Sequence, residues 1–183
     1  MAREAGDLTR CEAALRTLLL TARRLEASDA APIATTEVLF ELSSLAAQRG
    51  QEEQAEELAE SALEALAGGE AHMSRLQAKL RANEEWSLLL RLLGARLGYV
   101  TSPYRRGQIL SERAAVLTQL ERHGGAFCAT LEAIAADPGS PLLHECMRER
   151  AAELDRLDDY VKHIEGLLGK ATKGTHALVR CEL

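Results

Sequence analysis

The chain has 183 residues, a formal net charge of −6 and only 3% aromatic residues. That length suffices for a sizeable core, and the Leu, Ala, Glu and Arg bias belongs to long helices rather than to sheets. The charge leaves no basic footprint for non-specific nucleic-acid binding, and no apolar run reaches membrane-spanning length.

The opening MAREAGDLTR has no apolar stretch after its charges, so no secretory leader is expected and the chain is expected in the cytoplasm. Apolar residues then recur at helical spacing almost throughout, and punctuation divides them. Ten helices are expected, at about 7–27, 33–49, 51–67, 70–82, 84–97, 103–122, 125–136, 141–156, 158–169 and 175–183. Gly50 separates two of them, Gly68-Gly69 ends one, and Gly124-Gly125, Asp137-Pro138-Gly139 and Gly174-Thr175 are read as breaks. Ser102-Pro103 and Ser140-Pro141 each read as an N-cap with proline at the first helical position. Short linkers predict antiparallel hairpins.

Residues 36–66, TEVLFELSSLAAQRG followed by QEEQAEELAESALEAL, form one helix, a glycine turn and a second helix. Small residues Ser43, Ala55, Ala59 and Ala62 sit where the helices must approach closely, and Leu39, Leu42, Leu45, Leu58 and Leu63 fill between them. The stretch resembles the tetratricopeptide repeat, with Gly50 at its turn glycine and Ala55 and Ala62 at its small packing positions. The same phase recurs at Gly6, Gly50, Glu84, Gly124 and Asp158, in steps of 44, 34, 40 and 34. Trp86, Phe127 and Tyr160 follow three of these turns. Gln77 departs from the pattern, standing where a small residue is expected. The resemblance implies one domain over 1–183: an all-α, right-handed α-α solenoid of about five antiparallel hairpins, TPR-like, acting as a non-enzymatic protein–protein interaction scaffold.

The first and last helices are incomplete in this phase. Thr175 to Gly6, counted across the joined ends, spans fourteen steps, as Thr36 to Gly50 does. One expectation is therefore head-to-tail self-association into a filament or ring, through Met1, Ala2, Leu8, Cys11 and Leu15 of one copy and Leu178, Cys181 and Leu183 of the next. The other is a monomeric adaptor, or a piece of a longer array, binding a partner peptide in its concave groove. In peptide-binding relatives that groove is lined by first helices, which here carry Glu37, Phe40, Glu41, Ser44 and Gln48, then Ser74, Arg75 and Arg81. The Lys and Asn of a carboxylate clamp are absent. Tyr99, Tyr104, Arg105 and Arg106 form a further candidate contact surface.

No catalytic constellation emerges. GLLGKAT (166–172) has the wrong glycine spacing for a phosphate loop and Ala171 where a hydroxyl should hold magnesium. His144-Glu145-Cys146 are adjacent, so on a helix they point about 100° apart and do not share one metal. Cys11, Cys128, Cys146 and Cys181 show no CxxC and read as reduced core thiols. No cofactor, metal, nucleic-acid or membrane partner is expected. The six glutamates of 52–64 form a solvated face.

Overall fold

The computed structural model describes residues 8–26, 35–65 and 70–170. Every regular element among them is a helix: α1 (Leu8–Glu26), α2 (Thr35–Gln48), α3 (Glu52–Glu64), α4 (Glu70–Ala82), α5 (Trp86–Tyr99), α6 (Pro103–Gln119), α7 (His123–Ala136), α8 (Pro141–Glu153) and α9 (Leu157–Lys170). The expected helix at 175–183 and the turn at Gly6 lie outside the described residues. The chain divides into two compact units, 1–88 and 89–183, with the boundary inside α5.

Four interhelical turns share one construction. Gly50, Glu84, Glu121 and Asp155 all have positive φ, at 72°, 58°, 57° and 54°. The amide of the following residue donates five positions back, Gln51 to Ala46, Glu85 to Leu80, Arg122 to Leu117 and Arg156 to Ala151, at 2.7–3.0 Å. The positive-φ residue's own amide donates three positions back, as from Glu121 to Thr118 at 3.0 Å. This is the Schellman stop, which satisfies carbonyls the helix end would otherwise orphan. The steps between the four are 34, 37 and 34 residues, more even than the sequence suggested. Two turns therefore fall three residues before the expected breaks. Gly124-Gly125 is not a break but part of the first turn of α7, and Asp158 lies in the first turn of α9. The left-handed position is held there by Glu121, a residue type without turn preference, and by Asp155, whose short polar side chain tolerates it.

In the first unit α1 packs on α2, and α2 pairs with α3. Val38, Leu39, Leu42, Leu45 and Ala46 of α2 and Ala55, Ala59 and Ala62 of α3 are all buried. Alanines on α3 let the backbones close enough for α2 hydroxyls to reach α3 carbonyls. Ser43 Oγ donates to Ala55 O at 2.7 Å, and Thr36 Oγ1 donates to Ala65 O at 3.1 Å. The early residue of α2 meets the late end of α3 and the reverse, so the pair is antiparallel with its register pinned at both ends. α4 contributes the buried Met73, Leu76 and Leu80, and Gln77 is buried as well. Lys79 Nζ pairs with Glu41 Oε1 at 2.8 Å.

The second unit has two described core clusters. One cluster joins Leu110, Phe127, Ile134, Leu143, Met147, Tyr160 and Ile164, drawn from α6 to α9. A second joins Ala114, Leu117, Ala126 and Ala129, with Leu90 against it. Gly107 allows a close approach: a Cβ there would sit 3.1 Å from Asp137 Cβ. Pro103 and Pro141 start α6 and α8 as expected, after Ser102 and Ser140, but neither serine caps through its side chain.

Arg150 of α8 ties three helices. Its guanidinium donates to Thr118 Oγ1 on α6 at 3.1 Å, to Ala126 O on α7 at 3.2 Å, and to Thr130 Oγ1. His144, wholly buried, is held at both nitrogens: Nε2 donates to Pro138 O at 2.9 Å, which leaves Nδ1 to accept from Tyr160 Oη at 2.7 Å.

Candidate functional site

α1 carries more apolar surface than α2 covers. At 100° per residue, Leu8, Leu15, Leu19 and Ala22 share one stripe. Of these only Ala22 is fully buried, at 3% exposure, and the leucines are half-buried. Glu12 flanks this stripe, where it pairs with Arg49 of the α2–α3 turn and with Arg16 at 2.6 Å. Arg49 Nη2 also donates to Thr9 Oγ1 at 3.2 Å. On the other flank lie Cys11, Leu18 and Leu25, spaced by seven, with Leu18 and Leu25 exposed at 36% and 39%. The apolar arc thus continues past the packed stripe into solvent. Beneath it, a cavity of about 110 Å³ is lined by Leu19, Leu42, Leu45 and Leu58 and bounded by Glu12 and Arg49.

Of the residues expected to self-associate, Leu8, Cys11 and Leu15 fall together on this arc. Met1, Ala2, Leu178, Cys181 and Leu183 lie outside the described residues. In the second unit α9 also leaves apolar side chains open: Leu157 and Val161, one turn apart, are 49% and 42% exposed.

The expected groove residues divide. Phe40, at 1% exposure, is part of the packing rather than of an open floor, because α2 is buried over most of its circumference. Ser44 is buried too, and its Oγ donates to Glu85 Oε1 at 2.9 Å. Glu41 is engaged by Lys79, and Glu37 is half-buried. Gln48, Ser74, Arg75 and Arg81 are exposed.

A groove the sequence did not disclose lies in the second unit. It holds about 300 Å³ between α6 and the start of α8, with the α7–α8 turn at one edge. Tyr104, Gln108 and Glu112 line it from α6, Asp137 from the turn, and Leu142 from α8. Tyr104 and Leu142 are 62% and 66% exposed. Gln108 Nε2 donates to Tyr104 Oη at 2.9 Å and holds the phenol along the helix. Tyr104, a candidate contact residue by sequence, lies in the first turn of α6, and the far side of its groove comes from Asp137 and Leu142, more than thirty residues away, so no local motif announces them.

The thiols correct one expectation. Cys11 is half-buried, while Cys128 and Cys146 are free and exposed rather than core, because they fall on the outer faces of α7 and α8. Among the described residues no group of three or more His, Cys, Asp or Glu is placed to hold a metal ion. His144 has both nitrogens engaged, and its neighbours Glu145 and Cys146 are exposed. The glutamates of α3 are all solvent-exposed. No described helix is long and apolar enough to cross a membrane.

No protein-family model and no curated protein matches the chain. Among solved structures it is similar to "Crystal structure of MamA", at 16% identity over 92% of this chain and 91% of that one, TM-score 0.45. It is similar also to "MamA 41-end from Desulfovibrio magneticus RS-1", at 17% identity over 92% and 88%, TM-score 0.44. A third is "MamA AMB-1 P212121", at 16% identity over 97% and 91%, TM-score 0.45.

Proposed function

We propose that the chain is a non-enzymatic protein–protein interaction scaffold of TPR-like hairpins, and that copies of it associate head-to-tail through the open arc of α1 and the open side of α9. The observation that carries this reading is α1 itself. A 19-residue helix that fully buries a single described side chain keeps Cys11, Leu18 and Leu25 as apolar surface beside its packed stripe. In a stack of hairpins each helix is flanked by neighbours on both sides, and apolar end faces favour stacking. A contact between two different faces is heterologous, so it builds a filament or a ring rather than stopping at a dimer. The repeated Schellman stops at steps of 34, 37 and 34 support the repeat reading.

Light scattering over a hundredfold dilution series tests it. The expected result is a mass that grows with concentration well past two copies of the 19.9 kDa chain. Leu18→Glu, at an exposed position, should return the mass to one copy without loss of helicity. A wild-type mass that stays constant at one copy overturns self-association and leaves a monomeric adaptor. That second reading draws on the groove of the second unit, which is lined by both polar and apolar groups.

A further inference from the structure

We infer that charge fixes the direction of the contact between copies: the arginine-bordered arc of α1 on one copy takes the acid-bordered side of α9 on a second copy, and refuses a second α1. The inference rests on the self-association reading and names what that contact recognises. Both helices carry the same two-row pattern. On α1 the apolar row Cys11, Leu18 and Leu25 is spaced by seven, and so is the row beside it, Arg10, Thr17 and Arg24, on the side away from the packed stripe. Arg24 is exposed, and its side chain makes no hydrogen bond or ion pair among the described residues. Thr17 turns its hydroxyl back to Ala13 O at 2.9 Å, so the charge of this row is cationic throughout.

On α9 the apolar row is Val161 and the half-buried Leu168, seven apart, with the exposed Leu157 one turn before Val161. Asp158 and Glu165, also seven apart, make the row beside it, at about 60° and 40° from Val161. Both acids are exposed, and neither side chain makes a hydrogen bond or ion pair among the described residues. The remaining acid of α9, Asp159, is taken by Arg156 at 2.8 Å. Lys162 lies further round the helix, about 100° from Val161, and engages neither acid. Asp158 also suits the positive end of its helix dipole, but Glu165, in the second half of α9, gains nothing from it. Charged rows that flank an apolar seam at seven-residue spacing are what sets partner choice and orientation between paired helices. α1 against α1 brings arginine row to arginine row, and α9 against α9 brings acid to acid. The unlike pair joins apolar row to apolar row and opposite charges beside it.

The test is light scattering on the full chain carrying R24E, on the full chain carrying D158R/E165R, and on their equimolar mixture. Each variant alone sets like charges at the contact and should need about fivefold more protein than wild type, or more, to reach the same mass, with unchanged circular dichroism. In the mixture every contact joins unlike rows again: the unaltered α1 of one variant meets the unaltered α9 of the other, and the two reversed faces meet each other. The mixture should return to within about twofold of the wild-type concentration dependence and grow past two copies. R81E on α4 and E53R/E57R on α3 make the same changes of charge elsewhere and should move that dependence less than about twofold. Assembly indifferent to R24E and D158R/E165R, controls that lose as much, or a mixture no better than its parts overturns the inference and leaves self-association standing. A mixture that halts at two copies overturns it as well, because α1 would then be pairing with α1. A wild-type chain constant at one copy removes self-association and this pairing together, and leaves α1 to an acidic partner of another kind.

Discussion

α1 and α7 show how far the same kind of helix differs with its surroundings. α7 is the second helix of the α6–α7 pair, and α1 precedes the α2–α3 pair. α7 is the shorter, with 14 residues against 19, yet it buries Ala126, Phe127, Ala129, Thr130, Ala133 and Ile134, where α1 fully buries Ala22 alone. Among the described residues α7 has α6, α8 and α9 around it, whereas α1 packs on α2. Composition contributes to the difference: α1 interleaves its leucines with four arginines and two glutamates, whereas α7 carries a single glutamate. Composition and the helices packed around an element together decide whether an apolar arc becomes core or surface.

The largest way to break the comparison is at the aromatic centre of α7. Phe127 is fully buried, with the Arg156 guanidinium 4.0 Å from its ring centroid. Phe127→Ala should cost about 3–5 kcal/mol of unfolding free energy by denaturant titration, whereas Leu15→Ala on the half-buried stripe of α1 should cost about 1 kcal/mol or less. Equal losses would show that α1 is covered in solution as thoroughly as α7. Next in size is Arg150→Met, which leaves Thr118 and Thr130 without their shared donor. A loss of about 1–3 kcal/mol is expected, and a neutral result would mean that water replaces the guanidinium. Gly107→Ala should follow with a net change within about 1 kcal/mol, because the added methyl meets Asp137 Cβ of the α7–α8 turn at 3.1 Å while alanine gains helix propensity inside α6; a loss well above that would show that the turn does not yield. The smallest effect runs the other way. Glu121→Gly relieves a left-handed position and should stabilise by roughly 0.5–1 kcal/mol, part of the gain being offset by unfolded-chain entropy. The same change at Gly50's neighbours, which have ordinary φ, should not stabilise.

The same contrast explains what was legible in the sequence. Gly50, the alanines of α3 and the Ser-Pro starts of α6 and α8 were readable because one residue type answers one local demand. Glu121 and Asp155 were not, because the Schellman hydrogen bonds hold a left-handed residue whatever its side chain. A trace remains: the carbonyl five residues before each closing amide belongs to a buried apolar residue, Ala46, Leu80, Leu117 or Ala151. Leu8, Cys11 and Leu15 were placed on one arc by periodicity alone. Phe40 and Ser44 were placed on an open face because period cannot tell how many sides of α2 are covered. The groove of Tyr104, Asp137 and Leu142 is assembled by packing three elements, and packing is what sequence spacing carries least.

Arg150 has a consequence for the order of events. Its three acceptors sit on α6 and α7, so its bonds close only after that hairpin has formed and α8 has been laid against it. An interaction made that late does little to speed folding and much to slow unfolding. It acts as a latch rather than a seed, and its loss should shorten the lifetime of the native state far more than it delays arrival there.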